Sequence, residues 1–431
     1  MTRGWRVGVI LGLVACASPL VQAQGVATPS PAPTEPPAQA PTPSPTPTPS
    51  PATTPAAEPA TVKVAPYGVV YFNGFNNSGG TNNQDVPLWA ATGTGDTSAT
   101  ARQSRFGLRV SVPAVLGAKA AAVVEADFFG GFPSIGTGEN FGQVRLRLAH
   151  VRLDWKNTSV VIGQDWMVFA PLSPNSLACA AIPLFAAAGN PWARLPQVRL
   201  EERFGSGLFQ AAVLAPQSGD FSSAFLAQPN SGALSEVPYL QGRLALTTKN
   251  AFGSGKPGAV GISGHYGRSK VTPTGGSAKD LDSTGGALDL SLPLGKYVVI
   301  AGEAFAGKNL AGFQAAVFQG INPDAATSSA AAGTPEAIAT KGGWAQVGVT
   351  PGASKVSLLA AYGIDDPDDA DLKSATKRNW RTRNQVVALA VQYRASAQLS
   401  FGVEYRFLET AFLQSAKQKD RHLNLAMVVA F

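Results

Sequence analysis

An all-β fold, a transmembrane antiparallel β-barrel of about sixteen strands, is what this sequence predicts, and three observations carry the expectation. The chain ends on Asp420–Phe431, where Leu423, Leu425, Met427, Val429 and Phe431 take one parity and His422, Asn424, Ala426, Val428 and Ala430 the other. That is a strand with one greasy face and one smaller, partly polar face, its apolar parity running out to a terminal phenylalanine. From residue 64 onward the chain divides into segments of roughly ten residues, each alternating in parity and bounded by turn residues. Finally, the connectors alternate short and long without a break, which a soluble β-sandwich does not require.

Composition agrees. The 431 residues are 45% hydrophobic but 14% charged, with 46 Gly and 33 Pro, unlike a helical bundle or a charged soluble enzyme. Residues 1–23 read as a secretory signal: Arg3 and Arg6, an apolar run from Val7 to Val14, Pro19, and a Val21-Gln22-Ala23 cleavage site. Leu13-Val14-Ala15-Cys16 offers the alternative of lipoprotein cleavage with Cys16 acylated. Residues 24–63 form a Pro/Ala/Thr-rich stretch that lacks the large apolar residues a core needs, so a disordered, polyproline-like periplasmic tether is expected. It either touches peptidoglycan or is an inert leader. Residues 64–431 are the barrel.

The strands are expected at Pro66–Phe75, Gln103–Val112, Gly117–Phe128, Val144–Trp155, Ser159–Val168, Pro196–Phe204, Leu208–Pro216 and Val237–Lys249 in the first half. Gly258–Arg268, Thr284–Pro293, Tyr297–Ala306, Lys341–Thr350, Lys355–Ile364, Arg383–Arg394, Gln398–Glu409 and Asp420–Phe431 complete the set. An even number leaves both chain ends on one side, the periplasmic side if a signal has been removed. A barrel of this size encloses an aqueous lumen, so inward-facing residues are where function is sought.

The net charge of +7 decides nothing by itself; where the cations point is the question. Parity places Arg105 and Arg109 inward on the second strand, Lys119, Glu125 and Asp127 on the third, and Arg145 and Arg147 on the fourth. Arg199, Glu201 and Arg203 follow on the sixth strand and Arg243 on the eighth, whereas Asp289, Glu303, Arg394, Glu404 and Arg406 mix the signs elsewhere. Arginine at mid-membrane costs ~2–4 kcal/mol facing lipid, so this register is strongly constrained. Such a ladder lowers the cost of moving an anion and offers bidentate contacts to carboxylates, with Glu125, Asp127 and Glu201 as acidic partners. The bland alternative is a wall whose charges pair off and discriminate weakly.

The connector Phe169–Leu195 is Ala-rich, Pro-punctuated and free of acidic residues, ending in Trp192 and Arg194. A segment this apolar suits solvent poorly, so it is expected to fold inward as a constriction, or else to lie on the rim or against another copy of the chain.

Several short stretches then coincide with one family: Ser104-Arg105-Phe106-Gly107-Leu108-Arg109, Arg145-Leu146-Arg147, Gly163-Gln164-Asp165-Trp166, Leu195-Pro196-Gln197-Val198-Arg199, Gly342-Gly343-Trp344-Ala345-Gln346 and Gly363-Ile364-Asp365-Asp366-Pro367. With them the chain resembles the DcaP-like Gram-negative outer-membrane porins over most of the region after Tyr67. The resemblance implies a homotrimeric sixteen-stranded porin, general or dicarboxylate-type, with an inward third loop. It also implies a helical N-terminal extension, which the Pro-rich stretch here does not match.

The expectation is therefore a water-filled diffusion channel for small hydrophilic solutes, favouring anions or carboxylates, embedded in outer-membrane lipid. An outer-membrane hydrolase would need an imidazole base, and His150, by parity outward, His265 and His422 are poorly placed for a triad. A barrel serving mainly as a cell-wall anchor or surface-interaction protein is the competing reading. No cofactor or metal is expected, ordinary signal cleavage leaves Cys179 alone and so no intrachain disulfide, and nucleic acid does not suit an exported chain without a dense basic run.

Overall fold

The computed structural model describes residues 61–131, 142–218, 229–273, 276–325, 334–352, 354–373 and 378–431. The signal, the Cys16 box and nearly all of the tether lie outside them.

The strands are β1 (Lys63–Thr81), β2 (Ala90–Thr100), β3 (Arg105–Val115), β4 (Ala118–Asp127), β5 (Arg145–Asp154), β6 (Thr158–Trp166), β7 (Arg194–Phe204), β8 (Gly207–Leu214), β9 (Tyr239–Thr248) and β10 (Gly258–Val271). They continue with β11 (Lys279–Leu294), β12 (Val298–Lys308), β13 (Ile321–Ala325), β14 (Thr334–Ala337), β15 (Ala339–Val349), β16 (Val356–Pro367), β17 (Arg381–Arg394), β18 (Leu399–Phe412) and β19 (Gln418–Ala430). Sixteen of them close an antiparallel barrel, and each coincides with an expected segment. The seam is β1 against β19: Val69 pairs with Ala430 and Asn77 with His422. Gly68 and Phe431 extend it by exchanging two backbone hydrogen bonds of 3.0 Å.

Alternation of side chains explains why these segments close in this register. On β19, Leu423, Leu425 and Met427 are exposed on the outer face, while Asp420, His422, Asn424 and Ala426 are buried inside. β1 repeats the pattern with Val70 and Phe72 outward and Tyr71, Asn73 and Phe75 inward. A one-residue slip would put Asn73 and Asn424, hydrogen-bonded to each other at 3.1 Å, into lipid.

β2 was not among the expected strands. β1 is long enough to serve two neighbours on one edge, pairing with β3 through Lys63–Val69 and with β2 through Asn73–Thr81. Its crossing with β2 is built from glycine: a Cβ on Gly80 would lie 2.6 Å from the Gly93 nitrogen, and one on Gly95 2.2 Å from the Asn77 carbonyl oxygen. Ala90–Thr100 lacks the greasy parity of a lipid-facing strand, which is why the sequence reads there as loop. The small β13–β14 hairpin lies in the long β12–β15 connector for the same reason.

Candidate functional site

The segment between β6 and β7 enters the barrel and runs around its inner wall. Its backbone is held by side chains from successive strands. Gln241 of β9 accepts from Val168 and Phe169 at 2.9 and 3.0 Å, Ser263 of β10 from Ala170 at 3.1 Å, and Glu303 of β12 from Leu172 at 2.6 Å. Gln346 of β15 both accepts from the Asn175 nitrogen and donates to its carbonyl, at 2.8 Å each. Glu404 of β18 then takes the Ser176 hydroxyl at 2.5 Å. Past the seam, Gln103 accepts from Ala180 and Ala181 at 2.8 and 3.0 Å and donates to the Ala178 carbonyl at 2.8 Å.

Polar side chains at mid-strand thus act as brackets for the backbone groups of an apolar ribbon, which would otherwise be orphaned. Ala-rich sequence lets it lie flat: Ala186, Ala187 and Ala188 are buried, and Gly363 leaves room for it, since a Cβ there would meet the Ala188 carbonyl oxygen at 2.4 Å and the Phe185 ring at 2.6 Å. Burial drives the Cys179 thiol up to about 12, so it stays a protonated filler. The inward fold expected for Phe169–Leu195 is what the structure contains.

Two more segments join this belt without a sequence signal that announced them. Residues 309–319 pack inward, with Phe313, Ala316 and Val317 buried and the Trp192 indole donating to Gln314 at 2.8 Å. Val86 and Leu88 do the same before β2, where Asn384 donates to the Leu88 carbonyl at 2.7 Å.

Beside the belt lies the arginine wall of β3–β7. Arg145 grips Asp127 through Nε and Nη2 at 3.0 and 2.7 Å, and Arg147 bridges Glu125 at 2.6 Å and Asp127 at 2.7 Å. Arg105 reaches Glu125 at 3.8 Å. On the adjoining stretch Glu201 is shared by Arg152 at 2.8 Å, Arg199 at 2.9 Å and Arg203 at 3.3 Å. Arg152 also pairs with Asp154 and Arg199 with Asp165, each at 2.8 Å, so six guanidinium groups share five carboxylates and one positive charge is left over. Arg145, Arg147 and Arg194 also converge on one belt carbonyl, that of Ala181, at 2.9, 3.4 and 3.3 Å. Arg194 makes no ion pair among the described residues and lies beside the Trp166–Trp192 pair, 4.9 and 5.1 Å from ring centres that are themselves 5.9 Å apart.

The other expected residues are more scattered. Arg109 is exposed inside the barrel, 5.1 Å from the Tyr67 ring, and Lys119 is exposed next to the short β3–β4 turn. Arg243 stands apart from the wall, buried and clamped on Asp289 at 2.9 and 2.6 Å.

Parity misplaces part of β5. A bulge between Glu125 and Ala126 sets Leu148 opposite the former and Leu146 opposite the latter, with Arg147 as the extra residue. The alternation then inverts, so His150 faces inward, 3.8 Å from Asp165, and Arg152 joins the wall. One signal was legible: Arg147 and Arg152 have opposite parity, and both can avoid lipid only if a bulge lies between them. His265 is buried against Tyr239 and Phe313, its Nε2 3.0 Å from the Ser283 hydroxyl, itself buried. His422 is bound to Asn77 at 2.7 Å.

No family model and no curated protein sequence matches this chain. Among solved structures it is similar to the outer membrane channel DcaP of Acinetobacter baumannii, with a TM-score of 0.63 and 19% identity over 86% of this chain and 97% of that one. The fold is that of an outer-membrane porin. OmpF of Salmonella typhi aligns with a TM-score of 0.55 and 12% identity, covering 85% of this chain and 97% of its own. The anion-selective porin from Comamonas acidovorans gives 0.52 and 15%, covering 86% and 100%. The resemblance to DcaP-like porins drawn from short motifs thus extends to the architecture of the whole barrel.

Proposed function

We propose that the protein is an outer-membrane porin through which small hydrophilic solutes diffuse passively, with anions, carboxylates in particular, favoured over cations. The observation that carries this reading is the sharing of carboxylates on the β3–β7 wall. Arg105, Arg145, Arg147, Arg152, Arg199 and Arg203 share five carboxylates, Glu125, Asp127, Asp154, Asp165 and Glu201, while Arg109, Lys119 and Arg194 make no ion pair among the described residues, so the wall keeps an unbalanced positive charge in a confined space. The guanidinium groups divide by exposure. Arg147 and Arg199 are buried and hold the belt and wall together, whereas Arg203, Arg105 and Arg145 keep 36%, 27% and 25% of their side chains accessible. With Arg109 and Lys119 these are the groups a passing anion meets.

The belt supplies the narrowing. It brings no acidic side chain to the constriction, and Arg194, beside Trp166 and Trp192, makes no ion pair among the described residues. In this reading the long connectors face the exterior and the chain termini the periplasm, with the signal removed and the Pro-rich tether beneath the membrane near peptidoglycan. Three copies assemble side by side in outer-membrane lipid, each with its own lumen. No covalent step and no cofactor enter.

Single-channel recording in planar bilayers tests this. Across a salt gradient the reversal potential favours the anion, and the combined variant Arg105→Glu, Arg109→Glu, Arg203→Glu moves it toward the cation. Cation preference in the parent protein refutes the selectivity, and absence of conductance from a folded barrel refutes the channel in favour of an anchor.

A further inference from the structure

Outside the lumen, one sector of the barrel carries charge where lipid would otherwise be met. On β19, Lys419 and Arg421 share the outward parity of Leu423, Leu425 and Met427, and both are exposed. Lys341 on β15 and Arg383 on β17 likewise point outward at the same end of the barrel. Lys417 stands at the mouth of β19. Three carboxylates lie among or beside these five cations, Glu409, Asp366 and, in the connector after β16, Asp369. Glu409 is reached by Lys417 and Lys419 at 2.9 and 3.1 Å, and Asp366 by Arg383 at 3.1 Å. Lys341 and Arg421 make no ion pair among the described residues, so the sector is cationic. The neighbouring sector is not: on β10–β11 Arg268 is balanced by Asp280 and Asp282.

Depth fixes what this collar can touch. From Arg421 to Phe431 is ten residues, roughly 33 Å along a strand and, at a tilt of about 40°, about 25 Å along the membrane normal. That equals the height of an outer-membrane barrel's apolar band, with Phe431 at one border and the basic groups at the other. Tyr362, Tyr405 and Phe407 lie outward just within the collar, and Lys419 sits 5.9 Å from the Phe407 ring. The collar is at the long-connector end, opposite the short turns and the chain termini. A cation stripe with aromatic support, at headgroup height and continuous with a greasy wall, fits an acylated, phosphorylated headgroup: the acyl chains lie on Leu423 and Leu425, and the phosphate meets Lys419, Arg421 and Lys341.

We propose that the outer ends of β15–β19 form a binding site for a phosphorylated lipid headgroup of the outer leaflet. The inference uses the orientation given above but is independent of channel activity.

Native mass spectrometry of the folded full-length chain tests it, with bisphosphorylated lipid A and its dephosphorylated counterpart as probes. The parent protein retains the bisphosphorylated lipid. The combined variant Lys341→Gln, Lys419→Gln, Arg421→Gln retains it on the order of 100-fold more weakly, since each surface cation contributes a factor of several. Lys341→Arg, Lys419→Arg, Arg421→Lys restores retention, which separates lost charge from lost fold, and Arg268→Gln leaves it unchanged. Equal retention of the dephosphorylated lipid, undiminished retention by the neutralised variant, or displacement of lipid A by inorganic phosphate would overturn the proposal. A Gln414→Cys variant reads the orientation separately. It is labelled by a membrane-impermeant maleimide in intact cells, and absence of labelling puts the collar in the inner leaflet and overturns the proposal as well.

Discussion

Gln103→Leu isolates the attachment of the belt to the wall. Gln103 is 1% exposed and its amide makes three bonds to the ribbon, accepting from Ala180 and Ala181 and donating to the Ala178 carbonyl. Leucine fills a similar volume and offers none of them. At about 1 kcal/mol net per bond the change removes ~3 kcal/mol from the closure of residues 178–181, which corresponds to a roughly 100-fold larger open population. The barrel itself stays closed, because Gln241, Ser263, Glu303, Gln346 and Glu404 still hold the rest of the belt.

Cys179 lies inside the released stretch and reports the opening directly. Buried and with its thiol held near 12, it reacts slowly with maleimide in the parent protein. Labelling of the peptide that contains it, quantified by mass spectrometry in detergent, is expected to accelerate on the order of 100-fold in the variant, following the open population. Folding is checked by heat-modifiable electrophoretic mobility. An unchanged labelling rate in a folded Gln103→Leu barrel would refute the view that side-chain brackets hold the ribbon.

Other perturbations read different parts of the same arrangement. Asp127→Asn leaves Arg145 and Arg147 without the carboxylate they share, which is expected to destabilise the barrel by about 3 kcal/mol or more and to lower the heat-unfolding midpoint on gels. Gly363→Leu forces the belt off β16, because Ala188 and Phe185 already occupy the space, and single-channel conductance is expected to rise or become noisy. Arg194→Met keeps an apolar chain beside Trp166 and Trp192 but removes a charge that makes no ion pair among the described residues; anion preference should fall in reversal-potential measurements while thermal stability does not.

The barrel was legible because a lipid-facing sheet imposes two independent rules on sequence. Strands alternate, and connectors alternate in length; the two rules together located all sixteen barrel strands from Pro66–Phe75 to Asp420–Phe431, although β5 inverts at its bulge and the β9–β10 link is longer than the β10–β11 one. β2 obeyed neither, since Ala90–Thr100 has no lipid to face. The inward charges on β3, β4 and β7 followed for the same energetic reason, an arginine being tolerated only on the wet side. The wall broke the parity rule among its charged residues at the bulge beside Arg147, which turned His150 and Arg152 inward.

What the sequence alone determined is the identity of each face: which residues meet lipid, which meet the lumen, and that the stretch after β6 is too apolar to remain in solvent. Those are properties of neighbours two residues apart, and period-two burial writes them into the chain. Tertiary structure decided how the interior is used. Arg243 is clamped by Asp289 on another strand, Arg147 by two carboxylates of β4, and Arg194 lies against two tryptophans, so three arginines alike in sequence are held by different partners, whereas Arg105, Arg145 and Arg203 keep a quarter or more of their side chains accessible. The belt's path is likewise a matter of brackets from Gln241 round to Gln103, residues distant along the chain that closure of the sheet brings onto one inner ring. An ion pair or a bracket depends on which strands end up adjacent and how far they are staggered, and that is set by the closing of β1 on β19.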